Sequence, residues 1–374
     1  MTTPSALPVA AIFRSPLFNP SEGFVQAQAA ALSRYRPLMV GLERKGNVLP
    51  ALEGGILLAA RPLAARLGSI GALAAQLRPH APALVHAHFA TDGLLALPLA
   101  RALGIPLVTT LHGYDVHRTR ARMLLSGRLS WMRYALLRRR LIEQGALFLA
   151  VSDALRRAAL ARGFPAERTV THYVGIDLDR FGGGEPEPGL ILHVGRLVEK
   201  KGTAVLLDAV ARLPGARLAI LGDGPLRRDL ERRAAHLGAR VKFLGARPAA
   251  EVAGWMRRAW LLAAPSVTAA DGDAEGLPTV ILEAAASSLP AVGTFHSGIP
   301  EAIADGETGF LVPERDADAL AARIGALLAS ADLRHGMGLA ARAMAGRRFD
   351  LGRQTALLEE LYDGVRQSRS FASR

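Results

Sequence analysis

Leu190-Ile191-Leu192-His193-Val194 runs directly into Gly195-Arg196-Leu197-Val198-Glu199-Lys200-Lys201-Gly202, and residues 203–212 then place apolar side chains at helical spacing before a second apolar run at 217–221. A short apolar run, a glycine-bounded polar turn, an amphipathic stretch and another short run predict a strand, a loop, a crossover helix and a parallel strand. The same unit repeats downstream, with strands predicted at 241–244, 260–264, 291–294 and 309–312 and helices at 225–236, 249–258, 278–287 and 317–329. Upstream it predicts strands at 8–13, 37–42, 83–88, 106–111, 146–151 and 169–174, separated by helices at 23–33, 62–77, 92–103, 129–143 and 152–162. Each half is therefore expected to be an α/β domain with a doubly wound parallel sheet, which binds ligands at the carboxyl ends of its strands.

Gly182-Gly183-Gly184-Glu185-Pro186-Glu187-Pro188-Gly189 has neither period and reads as a linker. The expected organisation is an N-terminal domain over 1–181, the linker at 182–189 and a second domain over 190–348. Residues 349–374 are expected to form a C-terminal helix and a polar Arg/Ser tail free to pack back on the first domain. The length, 374 residues with 50% hydrophobic composition, is enough for two full cores and excludes a largely disordered chain. With no cysteine there is no disulfide, thiolate metal site, iron–sulfur cluster or cysteine nucleophile. No apolar run nears the roughly 18–20 residues of a spanning helix, and Met1-Thr2-Thr3-Pro4-Ser5 lacks the basic start of a signal peptide, so a cytoplasmic protein is expected.

Charge is unevenly placed. Residues 1–180 carry 22 Lys+Arg against 10 Asp+Glu, a net of +12, whereas 181–374 carry 24 against 23, a net of +1. A basic half beside a neutral one points to an anionic partner: a phosphate-bearing substrate, an anionic membrane or nucleic acid. Eight arginines and no acid fall within 118–140, including Arg118, Arg120, Arg122, Arg138, Arg139 and Arg140, interleaved with Trp131, Tyr134 and several Leu and Met. That composition suits a helix on an anionic membrane surface with its aromatic residues at the interface, or a solvated basic face over a core. No nucleic-acid recognition motif accompanies it.

Two motifs are candidates for chemistry in the second half. Gly195, Arg196 and Lys201 at a strand-to-helix turn supply a fork-shaped and a compact cation suited to a diphosphate. Glu275-Gly276-Leu277-Pro278-Thr279-Val280-Ile281-Leu282-Glu283 places an acid at a helix mouth, Pro278 in the helix's first turn and a second acid one turn in. The amides of Gly276, Leu277 and Thr279 would favour an anion, and the carboxylates could grip sugar hydroxyls, or serve as an ordinary helix-end acid and a solvated helix residue. Gly222-Asp223-Gly224-Pro225 is a tight turn after another strand, not a dinucleotide fingerprint. In the first half His112, in His112-Gly113-Tyr114-Asp115, ends a strand and is either a cleft residue or a packed one. His86 and His88 have no carboxylate cluster to complete a metal site.

In this order the motifs resemble the group 1, or family 4, glycosyltransferases over nearly the full length. The likeness rests on Glu275…Glu283 (the family's Glu-x7-Glu), Gly195-Arg196…Lys201-Gly202, Gly222-Asp223-Gly224-Pro225 and Val241-Lys242-Phe243-Leu244-Gly245. It also rests on Gly298-Ile299-Pro300-Glu301, Gly306-Glu307-Thr308-Gly309 and Val174-Gly175-Ile176-Asp177. The first half looks like members that build bacterial exopolysaccharide or lipid-linked sugars. Two departures stand out: Pro20-Ser21-Glu22-Gly23 replaces a Gly-Gly loop of many relatives, and Ser297-Gly298 replaces a Gly-Gly pair.

The resemblance implies a GT-B fold, two doubly wound Rossmann-like domains facing across a cleft. It implies retaining transfer of a hexose-type sugar from a nucleotide-diphosphate sugar to a hydroxyl acceptor, here a polyprenyl-diphosphate-linked oligosaccharide at the inner membrane face. Arg196 and Lys201 would hold the diphosphate, Glu283 the ribose, and Glu275 with the following amides the sugar, with Gly195, Gly222, Gly224 and Pro278 shaping the donor site. His112 would meet the sugar from the other domain. No metal or other cofactor is expected, and no nucleic-acid partner. The rival readings are a nucleotide-sugar epimerase and a non-catalytic sugar-nucleotide or polysaccharide-binding protein.

Overall fold

A computed structural model describes residues 7–66, 69–182 and 184–372. The leader expectation at 1–5, Gly183 of the glycine stretch, residues 67–68 of the helix expected at 62–77 and the last two residues of the tail lie outside them. The chain forms two compact units: residues up to Gly175 together with those from Leu351 onward, and Ile176–Asp350.

In the first unit seven strands form one parallel sheet: β1 Val9–Phe13, β2 Arg36–Gly41, β3 Ile56–Leu58, β4 Pro82–His88, β5 Leu107–Leu111, β6 Leu147–Ala150 and β7 Thr169–Thr171. Their order is β3-β2-β1-β4-β5-β6-β7. The second unit holds six: β8 Leu190–Val194, β9 Arg217–Leu221, β10 Val241–Gly245, β11 Leu261–Ala264, β12 Ala291–Thr294 and β13 Gly309–Val312, in the order β10-β9-β8-β11-β12-β13. Strands such as β1, β5 and β11 are buried at every position, because helices cover both faces of a parallel sheet and continuous apolar runs are then stable.

In each sheet the chain builds outward on one side of its first strand, then returns to the other side. The switch lies between β1 and β4 in the first unit and between β8 and β11 in the second. At such a point the two loops leaving adjacent strands diverge and open a crevice beyond the strand ends. The pairings Ala11↔Val85 and Leu262↔Leu192 place Arg14 and Phe89, and Gly195 and Pro265, just past those ends.

The sequence pattern missed one strand among those described, β3. It is three residues long at a sheet edge. The residues expected to link the domains, 182–189, follow the point of division and are tied into the second unit. There the Glu187 amide donates to Arg258 O at 2.7 Å, and its carboxylate pairs with Arg258 at 2.5 Å and Arg217 at 3.4 Å. The chain passes between units at Gly175–Ile176 and again at Asp350–Leu351, where Ile176 N donates to Phe349 O at 2.7 Å. The helix Leu351–Ala372 then places Leu358 and Tyr362 in the first unit's core with Ile12, Met39, Leu84 and Val108.

Candidate active site

In the second unit the loop after β8 carries Gly195, Arg196 and Lys201, and glycine lets neighbouring loops close on it. Gly222, after β9, sits at φ 140°, and a Cβ there would overlap Gly195 O. Gly202 sits at φ 65°, and a Cβ there would overlap Pro265 O, so the loops after β8 and β11 touch at the switch point. Gly224 lies against the Leu197 backbone, and the Lys201 stem packs over Gly195. Arg196 is exposed, and among the described residues no acid pairs with it. Its guanidinium is available to an anion.

Lys201 Nζ lies 2.9 Å from Glu275 Oε1, and Lys200 Nζ lies 3.2 Å from Asp273 Oδ1. Glu275 is 7% exposed. Burial alone would push its carboxyl up, but the ammonium groups of Lys200 and Lys201 outweigh this and hold it at about 2. The Glu275 amide donates to His296 Nε2 at 3.1 Å, which leaves the ring's proton on Nδ1, 2.6 Å from Glu314 Oε1. Glu314 also accepts from the Thr268 amide at 2.8 Å. Burial raises its carboxyl, and that amide together with His296 brings it below the ordinary value. Ser297 stands in left-handed backbone at φ 46°, where the Gly-Gly pair of relatives would be unstrained, and its hydroxyl donates to Glu275 O at 2.6 Å.

The helix after Glu275 is Thr279–Ala286, so Pro278 is its cap residue rather than part of its first turn. With φ −67° and ψ 108° Pro278 is extended, leaving the amides of Gly276 and Leu277 outside the helix. Glu283 lies on the second turn, half-buried. Among the described residues no group hydrogen-bonds its carboxylate. Burial pushes it up to about 6, with Arg180 opposing weakly. Two carboxylates eight positions apart are thus driven in opposite directions, one by lysines and one by burial.

In the first unit Arg14, just past β1, is held by three acceptor groups, one of them Ser15 O at 2.8 Å. Its Nε and Nη2 fork onto Glu22 at 2.7 and 2.8 Å, its Nη1 donates to Asp92 Oδ2 at 2.6 Å, and its guanidinium lies over Phe89 at 4.4 Å. Burial works against the cation, but Asp92 and Glu22 keep it firmly protonated. Glu22 of the Pro20-Ser21-Glu22-Gly23 departure is therefore the clamp on this arginine, a pairing no Gly-Gly loop can make. His112 follows β5, between Phe89 at 4.4 Å and Phe24 at 5.0 Å. Asp115 accepts from the amides of Ala90, His112 and Gly113 at 2.9, 3.1 and 2.9 Å, and so fixes the His112 loop to the start of the helix that follows β4. Behind it His88 Nδ1 is 3.1 Å from His112 Nε2. His86 bridges Tyr362 at 2.6 Å and Thr110 at 2.7 Å. Arg14, Asp92, Glu314 and His296 escaped the sequence reading because each is defined by a partner distant in the chain.

The arginine-rich segment is two helices, Arg120–Leu124 and Leu129–Gln144, not one. The expected aromatic interface is corrected. Tyr134 is buried, and Trp131 is stacked on Tyr114 at 5.2 Å with Arg118 and Arg128 over it at 4.3 and 4.5 Å. Arg139 pairs with Glu143 at 2.6 Å. The apolar side chains that do reach solvent are Leu125, Leu129, Met132 and Leu136, beside exposed Arg120, Arg122, Arg128 and Arg140; Arg138 is half-buried. Among the described residues no helix is long and apolar enough to cross a membrane, and no group of three or more His, Asp or Glu is placed to hold a metal ion.

The family model described as Glycosyltransferase Family 4 matches residues 33–180, and the one described as Glycosyl transferases group 1 matches 188–330. A glycosyltransferase named for colanic acid biosynthesis, WcaL of Salmonella typhimurium, is 35% identical over 68% of this chain and 64% of its own length. The amylovoran biosynthesis glycosyltransferase AmsK of Erwinia amylovora is 35% identical over 67% of this chain and 62% of its own. The chain thus spans less than two thirds of the length of these two relatives. The GDP-mannose-dependent alpha-(1-6)-phosphatidylinositol monomannoside mannosyltransferase of Mycolicibacterium smegmatis is 32% identical over 73% of this chain and 74% of its own. In fold, the chain matches Anabaena HepE, solved in complex with UDP and glucose, with a TM-score of 0.78 at 23% identity over 96% of this chain and 100% of that one. Sucrose-phosphate synthase from Thermosynechococcus elongatus matches with a TM-score of 0.74 at 20% identity, over 98% of this chain and 100% of that one. The chain belongs to the group 1, family 4 glycosyltransferases, and its two Rossmann-like units have the GT-B fold.

Proposed function

We propose that the chain is a retaining hexosyltransferase that moves a sugar from a nucleotide-diphosphate donor to a hydroxyl of a growing cell-surface polysaccharide. The observation that carries this is the loop after β8. There an exposed, unpaired Arg196 stands beside Lys201, whose ammonium pairs with Glu275 at the mouth of the next loop across the switch point. A diphosphate arriving there meets two cations, and Glu275 stays ionised to accept from sugar hydroxyls. The carboxylate of Glu283, half-buried and without a partner among the described residues, is suited to ribose hydroxyls.

In the reaction the bond from the anomeric carbon to the phosphate oxygen breaks with its electron pair on the diphosphate, and the acceptor oxygen bonds the same carbon from the same face. The departing phosphate takes the acceptor's proton. Arg196 and Lys201 stabilise the developing negative charge, a contact that strengthens in the transition state and supplies the role of a divalent cation. No pair of nucleophile and acid carboxylates is required. The names of WcaL and AmsK, which refer to extracellular polysaccharides, support the acceptor class, and the UDP complex of HepE supports a nucleotide-sugar donor.

The acceptor in this reading is lipid-linked, and the first unit docks on the inner face of the cell membrane through Arg120, Arg122 and Arg128 with Leu125, Leu129, Met132 and Leu136 between them. A panel of nucleotide sugars screened for thermal stabilisation, followed by transfer to polyprenyl-diphosphate-linked sugars in chelator, tests the proposal. Stabilisation by one donor and acceptor-dependent release of its nucleoside diphosphate are expected. Turnover of the donor without any acceptor would replace transfer by epimerisation or hydrolysis.

A further inference from the structure

His88 and His112 share one hydrogen bond, Nδ1 of the first to Nε2 of the second at 3.1 Å, and only one of the two nitrogens can carry the proton. The rest of the ring decides which. His88 is 2% exposed, and its Nε2 is buried with no hydrogen-bond partner among the described residues. If His112 were the donor, the proton of neutral His88 would sit on that Nε2 as a buried N–H without an acceptor. If His88 is the donor, Nε2 is a bare lone pair. Orphaned buried donors are the rarer and costlier of the two.

We propose that His88 is a positioning residue: it donates Nδ1–H to His112 Nε2 and thereby holds His112 as the Nδ1–H tautomer. No group among the described residues bonds His112 Nδ1, so this N–H is the group the ring offers to a substrate oxygen. Under the sugar-transfer reading, on which only this clause rests, that oxygen is a sugar hydroxyl or a phosphoryl oxygen. His112 then acts as a hydrogen-bond donor and not as a general base, because its basic nitrogen is occupied by His88.

The neighbours keep both rings neutral. Burial pushes both well below the ordinary histidine range. His112, Arg14 and His172 further disfavour charge on His88, and Arg14 and His86 disfavour it on His112. The nearby carboxylate of Asp115 is occupied by three amides, and those of Glu22 and Asp92 by Arg14. His86 lies tilted against His88 at 4.5 Å, with both its nitrogens bonded elsewhere.

Long-range proton–nitrogen NMR of the 15N-labelled full chain without substrate reads the tautomer directly, with His112 assigned by difference against His112→Gln. Nδ1–H on His112 is expected, and Nε2–H would overturn the proposal. In His88→Leu the preference should be lost and kcat should fall about tenfold or more with donor KM within about twofold. In His88→Asn, which keeps an N–H near the position of Nδ1, tautomer and kcat should largely return. Persistence of Nδ1–H in His88→Leu would show that His88 does not set it. Should the leucine variant fail to fold, the unsubstituted and asparagine spectra decide alone. Because the spectra are recorded without donor or acceptor, a failure of the sugar-transfer reading leaves them unaffected.

Discussion

The two units have the same architecture around a switch point but furnish it with opposite electrostatics. Past β8 and β11 lie charged side chains: Arg196 exposed, and Lys200 and Lys201 against Asp273 and Glu275. In the last residues of β4 and just past β5 lie three histidine rings kept neutral by burial, with Arg14 enclosed by Glu22 and Asp92. One unit is built to meet a charged ligand, the other to present dipoles of fixed direction. Part of the first half's +12 lies on the helices Arg120–Leu124 and Leu129–Gln144.

The contrast is broken most severely at the cations. Arg196→Ala and Lys201→Ala should each lower kcat by a factor equivalent to about 2–4 kcal/mol, by analogy with lost oxyanion donors. They should differ in stability. Arg196 is exposed and has no acid partner among the described residues, so its loss should change the unfolding free energy by no more than about 0.5 kcal/mol. Lys201 neutralises a buried carboxylate, so its loss should destabilise the fold markedly. Equal stability of the two variants would mean that the Lys201–Glu275 pair is not held in solution.

The two carboxylates of the Glu-x7-Glu motif sharpen the comparison through pH. Glu275, depressed from 4.5 to about 2, contributes stability that is present above pH 4.5 and lost as pH falls through 2, about 3 kcal/mol in all. Glu283, raised from 4.5 to about 6, works the other way: ionising it costs nothing below pH 4.5 and about 2 kcal/mol above pH 6. Glu283→Gln should therefore stabilise the protein at pH 7 while weakening nucleotide-sugar affinity, and Glu275→Gln should flatten the acid limb. Urea unfolding across pH 2–8 checks both signs.

The smallest effects belong to the surface of the first unit. Neutralising any one of Arg120, Arg122 or Arg128 should weaken binding to anionic vesicles by about 1 kcal/mol and leave donor binding in the second unit unchanged. Leu129→Ser and Leu136→Ser should weaken it even at high salt, since that contribution is apolar. Sedimentation with anionic and neutral vesicles over a salt series measures both. Equal binding to the two kinds of vesicle would make the segment a solvated face.

How far the sequence could be read follows the same division. Strand periods identified twelve of the thirteen described strands and both parallel sheets, because apolar runs and turns are local. The second unit's loops were legible too, since Gly195 to Lys201 and Glu275 to Glu283 are each contiguous. The first unit's site was legible only at His112. Its network joins Arg14 to Asp92 across 78 residues and His86 to Tyr362 across 276, and no spacing rule reports such pairs. Trp131 and Tyr134 misled for a related reason: an aromatic residue in a basic helix has the same composition whether it faces lipid, the core as Tyr134 does, or a neighbouring ring as Trp131 does.

The central claim is that the second unit grips a diphosphate with side-chain cations alone. Calorimetric titration of a nucleoside diphosphate into the unsubstituted chain and Arg196→Ala, each in chelator and in Mg²⁺, tests it most directly. The same affinity is expected with and without the metal, with a loss of about tenfold or more in Arg196→Ala. Binding that requires Mg²⁺, or that is unchanged by the loss of Arg196, would contradict it.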